Sequence, residues 1–210
     1  MYSITRRTLI SLAMLAIAGT VHAQSVVGKP APPFQAKDLN GKTVKLSDFV
    51  GKHVVLEWFS TSCPFVRKHY ASGNMPATQR AALEKGVVWL SINSDARNPA
   101  DKEGMAEVRS WAAGYKANPT ATILDGDGAI GKAYGARATP HMFVINPQGM
   151  LVYAGAIDNR PSANPADVAG ATNYVSQALR ESLSGAAVSI PRSQPYGCGI
   201  KYAGSWRSLL

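Results

Sequence analysis

One stretch limits the possible folds of this chain more than any other. The apolar run Val54–Phe59 breaks at Ser60, Thr61 and Ser62, then delivers Cys63 directly ahead of Pro64 and the basic, aromatic segment Phe65–Tyr70. A run that short, rich in β-branched and aromatic residues, suits a buried strand rather than a helix. Pro64 suits the first turn of a helix, where its missing N–H costs nothing. The sequence therefore predicts a strand, a tight loop and a helix, with Cys63 at the helix N-terminus. Free N–H groups and the helix dipole at such a position favour a thiolate, which makes Cys63 a candidate nucleophile.

The first 23 residues have the pattern of a leader rather than of a folded element. Arg6 and Arg7 precede the apolar, small-residue run Leu9–Val21, and Val21-His22-Ala23 offers a cleavage site that leaves Gln24 first. The expected destination is the periplasm or the exterior. The arginine pair also permits a twin-arginine signal. The apolar run is short for a bilayer span, which favours cleavage over the alternative of an uncleaved anchor, and no second run is long enough to span, so no stable membrane span is expected after cleavage. The rest of the chain suits one domain with an ample core. Removing Arg6 and Arg7 with the leader leaves 20 basic against 13 acidic side chains, a net charge of +7. These charges are scattered and read as a solubilising surface rather than a docking patch. The only cysteines are Cys63 and Cys198. In an exported chain such a pair can persist as a disulfide, yet one pair does not make a disulfide scaffold, which favours a functional role.

Taken in order, Gly28–Phe34 is extended and stiffened by three prolines. Asn40-Gly41 separates two short segments, Phe34–Leu39 and Thr43–Leu46, as in a hairpin. Ser47-Asp48-Phe49 can form a helical turn. Helices are expected over Pro64–Ala71, Pro76–Glu84, Met105–Lys116 and Ile130–Tyr134, and strands over Val87–Asn93 and Ala121–Leu124. Ser94–Gly104 reads as a loop. Thr139–Gly155 reads as strand, four-residue turn and strand, an antiparallel hairpin, and Ala166–Ser184 as the longest helix, with Val168, Ala171, Val175, Ala178 and Leu179 on one face. From Gly185 the chain is tail-like and carries Cys198. The expected organisation is a leader over 1–23, one domain over 24–184 and a tail over 185–210. Strands alternating with helices, then a hairpin and a closing helix, describe an α/β fold with a mixed sheet.

Four separate segments resemble the thioredoxin superfamily. Val54–Cys63 resembles the strand that carries its reactive cysteine, and Thr139-Pro140 its cis-proline element. Phe143-Val144-Ile145-Asn146-Pro147-Gln148-Gly149 resembles the hairpin of AhpC/TSA-type redoxins and peroxiredoxins, and Gly28–Phe34 the beginning of the same class. The resemblance covers roughly residues 26–155. It implies a thioredoxin-like fold, with a mixed central sheet flanked by helices and an added N-terminal hairpin. Two departures matter. Thioredoxins use Cys-x-x-Cys, but Val66 stands at the fourth position here. Peroxiredoxins use Pro-x-x-x-Thr-x-x-Cys, but here Leu56 replaces the proline and Ser60 the threonine, and Arg137 lies three residues too early for their arginine.

The resemblance implies roles for five residues. Cys63 is the nucleophile, and Cys198, on a segment flanked by Gly197 and Gly199, is the resolving thiol that Val66 does not provide. Glu57 matches a buried acid that moves protons, its pKa raised by burial. Pro140 is expected to be cis and to shape the substrate groove, and Ser60 stands for the peroxiredoxin threonine. The leading expectation is an exported thiol-disulfide oxidoreductase that acts on a disulfide-bearing protein or a small disulfide and is served by an external thiol reductant. The alternatives are a peroxidase consuming hydroperoxide, and a non-enzymatic adaptor or metal carrier using Cys63, Cys198 and His141. His69 and His141 can also stabilise a thiolate or simply pack. Trp58 and Phe59 shield the site or fill the core. Asp125-Gly126-Asp127-Gly128 lacks the later positions of a calcium loop and reads as a turn. No closed zinc spacing, phosphate loop or nucleic-acid module is present, and no cofactor is expected.

Overall fold

The computed structural model describes residues 26–96 and 101–203. The expected leader over 1–23 and part of the loop after Ser94 lie outside the described residues. The N-terminal hairpin forms as expected, β1 (Gln35–Lys37) pairing antiparallel with β2 (Thr43–Lys45). Its turn is closed by the Asp38 carboxylate, which accepts from the N–H groups of Asn40 and Lys42 at 2.8 and 2.9 Å. Gly41 takes the left-handed φ of +77° that this turn requires. A single 3-10 turn, Leu46–Phe49, leads to β3 (Val54–Trp58).

β3 is the axis of the domain. The chain then runs through α1 (Pro64–Ala71), α2 (Asn74–Leu83), β4 (Val88–Asn93), α3 (Lys102–Gly114), β5 (Ala121–Leu124) and α4 (Ala129–Tyr134). β6 (Ala138–Thr139), β7 (His141–Ile145), β8 (Leu151–Gly155), a 3-10 turn Pro165–Val168, α5 (Tyr174–Leu183) and β9 (Cys198–Gly199) complete it. The five-stranded sheet has the order β5-β4-β3-β7-β8. β3, β4 and β5 are parallel, and β7 and β8 are antiparallel to their neighbours, so the sheet is mixed.

All five residues of β3 are buried, because both faces of the sheet are covered. Val55 and Phe59 join Val66, Tyr70, Met75, Trp89, Val144 and Val175 in one core layer, on the side of α1, α2 and α5. Val54, Leu56 and Trp58 face Leu90, Ile92, Ile130, Tyr134 and Phe143 in the other, on the side of α4. This is the two-layer consequence of period-2 side chains on a central strand.

Three expectations need correction. α3 begins at Lys102 rather than Met105, because the Asp101 side chain caps it by accepting from Gly104 N at 2.8 Å. The long helix over 166–184 is two pieces. Gly170 takes φ +77°, and Asn173 starts α5 afresh by accepting from Ser176 N at 2.9 Å. Val175, Ala178 and Leu179 are buried as the pattern required, but Val168 and Ala171 lie before the helix. Finally, residues 186–203 of the expected tail lie against the domain, residues 204–210 lying outside the described residues. Ser193 packs on Gly155, β9 pairs with β6, and Tyr202 lies over Gly128 and Gly131.

Candidate active site

The loop after β3 places Cys63 as the N-cap of α1, with Pro64 in the first turn. Cys63 N donates to Ser60 O at 3.2 Å, and its carbonyl accepts from Arg67 N at 2.9 Å. The side chain is only 1% exposed. Its Sγ donates to the carbonyl of Thr139 at 3.0 Å. Thr139 precedes Pro140 through a cis peptide bond, as expected.

The other face of the same residue carries the second cysteine. In the β6–β9 pairing Thr139 stands opposite Cys198, and Thr139 Oγ1 reaches the Cys198 carbonyl at 3.5 Å. Cys63 is buried and Cys198 half-buried, and neither is disulfide-bonded. Gly197 makes this approach possible. A Cβ there would overlap the Thr139 carbonyl, with the carbonyl carbon at 2.8 Å, and φ is +123°. Thus Thr139 is in contact with both cysteine residues, with the thiol of Cys63 and with the backbone of Cys198, from distant parts of the chain.

Glu57 sits apart from that meeting point in its hydrogen bonding. It is fully buried on the central strand of the sheet. Tyr70 OH donates to Oε1 at 2.7 Å, while Gln79 Nε2, Trp89 Nε1 and Ser91 Oγ donate to Oε2 at 3.0, 2.7 and 2.9 Å. Burial raises its pKa above the ordinary carboxylate value, opposed by these four donors. Ser60 is buried; its Oγ lies 3.2 Å from Ser62 Oγ and donates to Asp95 Oδ2 at 3.3 Å. Arg137 is exposed and donates to Gln194 Oε1 at 3.2 Å. Leu56 is wholly buried in β3.

His69 belongs to a buried polar cluster that the sequence did not announce. Its Nε2 lies 3.0 Å from Tyr196 OH, its Nδ1 lies 2.9 Å from Asn74 Nδ2, and Tyr196 OH donates to Asp158 Oδ1. Lys68 Nζ lies 3.8 Å from Asp158 Oδ2 and donates to Arg160 O at 2.7 Å. Burial lowers the His69 pKa, Asp158 opposing the shift and Lys68 reinforcing it. Lys68 and His69 were visible only as a basic segment; nothing local marks Asp158 or Tyr196 as their partners. His141 is buried beside Phe143, with ring centroids 4.4 Å apart. Burial, then the charge of Arg137, hold its pKa down at about 3. Among the described residues no group of three or more His, Cys, Asp or Glu is placed to hold a metal ion. Nor is any described helix long and apolar enough to cross a membrane. Trp58 and Phe59 both pack inside, Trp58 Nε1 donating to Ser94 Oγ at 3.0 Å and Phe59 stacking on Trp111. The Asp125–Gly128 turn caps α4, the Asp125 carboxylate accepting from Ile130 N and Gly131 N.

A mixed sheet whose central strand delivers a cysteine to a helix start, facing a cis-proline, defines a thioredoxin-like protein. The thioredoxin domain of a thiol-disulfide oxidoreductase from Bacteroides vulgatus superposes with a TM-score of 0.52 at 22% identity, over 69% of this chain and 96% of that one. More specifically, residues 27–154 match the AhpC/TSA family, and the chain belongs to it. An uncharacterised conserved protein from Geobacillus kaustophilus matches over 86% of this chain and 94% of its own, with a TM-score of 0.71 and 26% identity. The thiol-disulfide oxidoreductase ResA of Bacillus subtilis is 30% identical over 125 residues, 60% of this chain and 64% of its own length. The chain thus spans somewhat less than two thirds of that relative.

Proposed function

We propose that this chain is an exported thiol-disulfide oxidoreductase in which Cys63 attacks and Cys198 resolves. The observation that carries the reading is the shared residue Thr139, which accepts from Cys63 Sγ at 3.0 Å and pairs with Cys198 in the β6–β9 register. The likeness to an oxidoreductase named for this chemistry supports it. The leader pattern over residues 1–23 supports export, and organises the chain as leader, domain and Cys198-bearing tail.

The Cys63 thiolate attacks one sulfur of a substrate disulfide. An S–S bond forms to Cys63, and the other substrate sulfur leaves as a thiolate and takes up a proton. The Cys198 thiolate then attacks Cys63 Sγ, releases the second substrate thiol and closes the Cys63–Cys198 disulfide. Two electrons pass from the cysteine pair to the substrate, and an external thiol reductant returns them. Glu57, held above its ordinary pKa by burial, is the proton donor and acceptor for these exchanges. Pro140 and Ser60 shape the loop surroundings of Cys63, the Ser60 carbonyl accepting from Cys63 N.

The deciding experiment uses the protein without residues 1–23 and a disulfide-bonded protein substrate. Cys63→Ser abolishes turnover, and Cys198→Ser accumulates a mixed disulfide on Cys63 that mass spectrometry detects. Undiminished turnover in Cys63→Ser would end this reading. Rapid consumption of hydroperoxide with a sulfenic acid on Cys63 would instead establish peroxidase chemistry.

A further inference from the structure

The Cys198 segment is tied to the helix that Cys63 begins, and the tie is a chain of hydrogen bonds with one consistent direction. Tyr196 OH donates to Asp158 Oδ1, so its oxygen is free to accept from His69 Nε2–H across 3.0 Å. With that proton on Nε2, His69 Nδ1 accepts from Asn74 Nδ2 at 2.9 Å. The neutral ring this needs is the form favoured by its burial. Lys68 closes the cluster, 3.8 Å from Asp158 Oδ2 and 5.6 Å above the Tyr196 ring. The side chains of Lys68, His69 and Asp158 are at most 1% exposed. Charges removed from water this completely are costly unless each is paired, so the cluster has few alternative arrangements. Tyr196 is the only member on the tail. It stands two residues before Cys198, and its ring also meets Phe65 edge-on at 6.0 Å.

We propose that the Asn74–His69–Tyr196–Asp158 chain, completed by Lys68, is a latch that sets the position of Cys198 over Cys63, with Tyr196 and His69 as positioning residues for resolution. The proposal rests on the reading of Cys198 as the resolving thiol. Docking the tail at Tyr196 on α1 fixes where Gly197 and Cys198 meet Thr139. The effective concentration of Cys198 at Cys63 Sγ is therefore set by side chains of α1, of the segment after β8 and of the tail.

The test measures the Cys63–Cys198 equilibrium in glutathione redox buffers by thiol alkylation and mass spectrometry. Tyr196→Phe keeps the ring contacts and removes only the hydroxyl. It should lower the effective concentration at least tenfold, about 30 mV toward a more oxidising potential for this two-electron couple. Cys63–glutathione mixed disulfide should accumulate. His69→Leu should behave alike, whereas His69→Gln, which keeps a donor near Nε2, should stay close to wild type. Thr120→Val removes a hydroxyl that accepts from Trp89 N at 3.1 Å, a bond made wholly within the domain. It should leave the potential unchanged, which separates latching from general loss of stability. An unchanged potential in both Tyr196→Phe and His69→Leu overturns the latch while sparing the resolving role. A wild-type protein that never closes the Cys63–Cys198 disulfide overturns the resolving role, and the latch with it.

Discussion

Gly197→Ala is the sharpest perturbation of the two-thiol arrangement, because it changes neither cysteine. The new Cβ would overlap the Thr139 carbonyl oxygen and stand 2.8 Å from its carbon, where ordinary contact begins at 3.4 Å. The obstacle is backbone on the cis-proline element, which cannot swing aside as a flexible side chain could. The segment must therefore retreat by more than half an ångström, stretching the β6–β9 pairing and the 3.5 Å reach of Thr139 Oγ1 to Cys198 O. The φ of +123° adds about 1–3 kcal/mol of strain for alanine. One or two weakened hydrogen bonds add about 1 kcal/mol each. The total of about 2–5 kcal/mol corresponds to a loss of roughly thirtyfold to several thousandfold in effective concentration. Redox-buffer titration of the disulfide, with urea unfolding of the reduced protein alongside, measures both parts. Gly199→Ala is the matched control, because the nearest atom to its Cβ is Arg137 O at 4.0 Å. If Gly197→Ala and Gly199→Ala both closed the disulfide as readily as wild type, the pairing of Cys198 with Thr139 would not govern resolution.

Removing the Glu57 carboxylate strands four buried donors, so Glu57→Ala should cost about 3–6 kcal/mol in urea unfolding, with the cavity included. Glu57→Gln retains an oxygen for the three-donor side and should cost only about 1–2 kcal/mol; equal losses in the two variants would contradict the donor cage. Acid should weaken the fold through His141. The folded ring stays neutral down to about 3, while an unfolded histidine protonates near 6.5, so the unfolded state binds more protons between these values. The stability tied to His141 is complete above 6.5 and is lost as pH falls toward 3, about 2 kcal/mol of it between pH 6.5 and 5. His53 and His69, also lowered by burial, act in the same direction, and Glu57, whose pKa is raised, in the opposite one. The pH 7 to pH 5 difference in urea-unfolding free energy should shrink by about 2 kcal/mol in His141→Gln; an unchanged difference would show that His141 titrates normally.

The central strand, the helix start at Cys63 and the antiparallel hairpin were legible in the sequence, because each rests on neighbouring residues. Strand periodicity, a proline at a helix's first turn and Asn-Gly at a hairpin act over a few positions. Glu57 was recognisable as a buried acid because five apolar residues share its strand segment. Its four donors were not, since Tyr70, Gln79, Trp89 and Ser91 come from three other elements. The closing helix was misjudged where a single backbone conformation decided it. Gly170 adopts a positive φ, and Asn173 offers a better cap than Ala166–Val168 offer continuation.

Sequence alone determined that the chain forms an α/β sheet around a cysteine at a helix start, and that the usual neighbouring thiol is replaced by Val66. Only tertiary structure decided where Cys198 goes. Its position depends on one carbonyl, that of Thr139, on the space left by a side chain absent at Gly197, and on a buried cluster of Lys68, His69, Asp158 and Tyr196. The partnership of Lys68 and His69 with Asp158 and Tyr196 has no local pattern, because these residues come from the first helix, the turn after β8 and the tail. They become neighbours only when burial of the sheet's two faces brings those segments together.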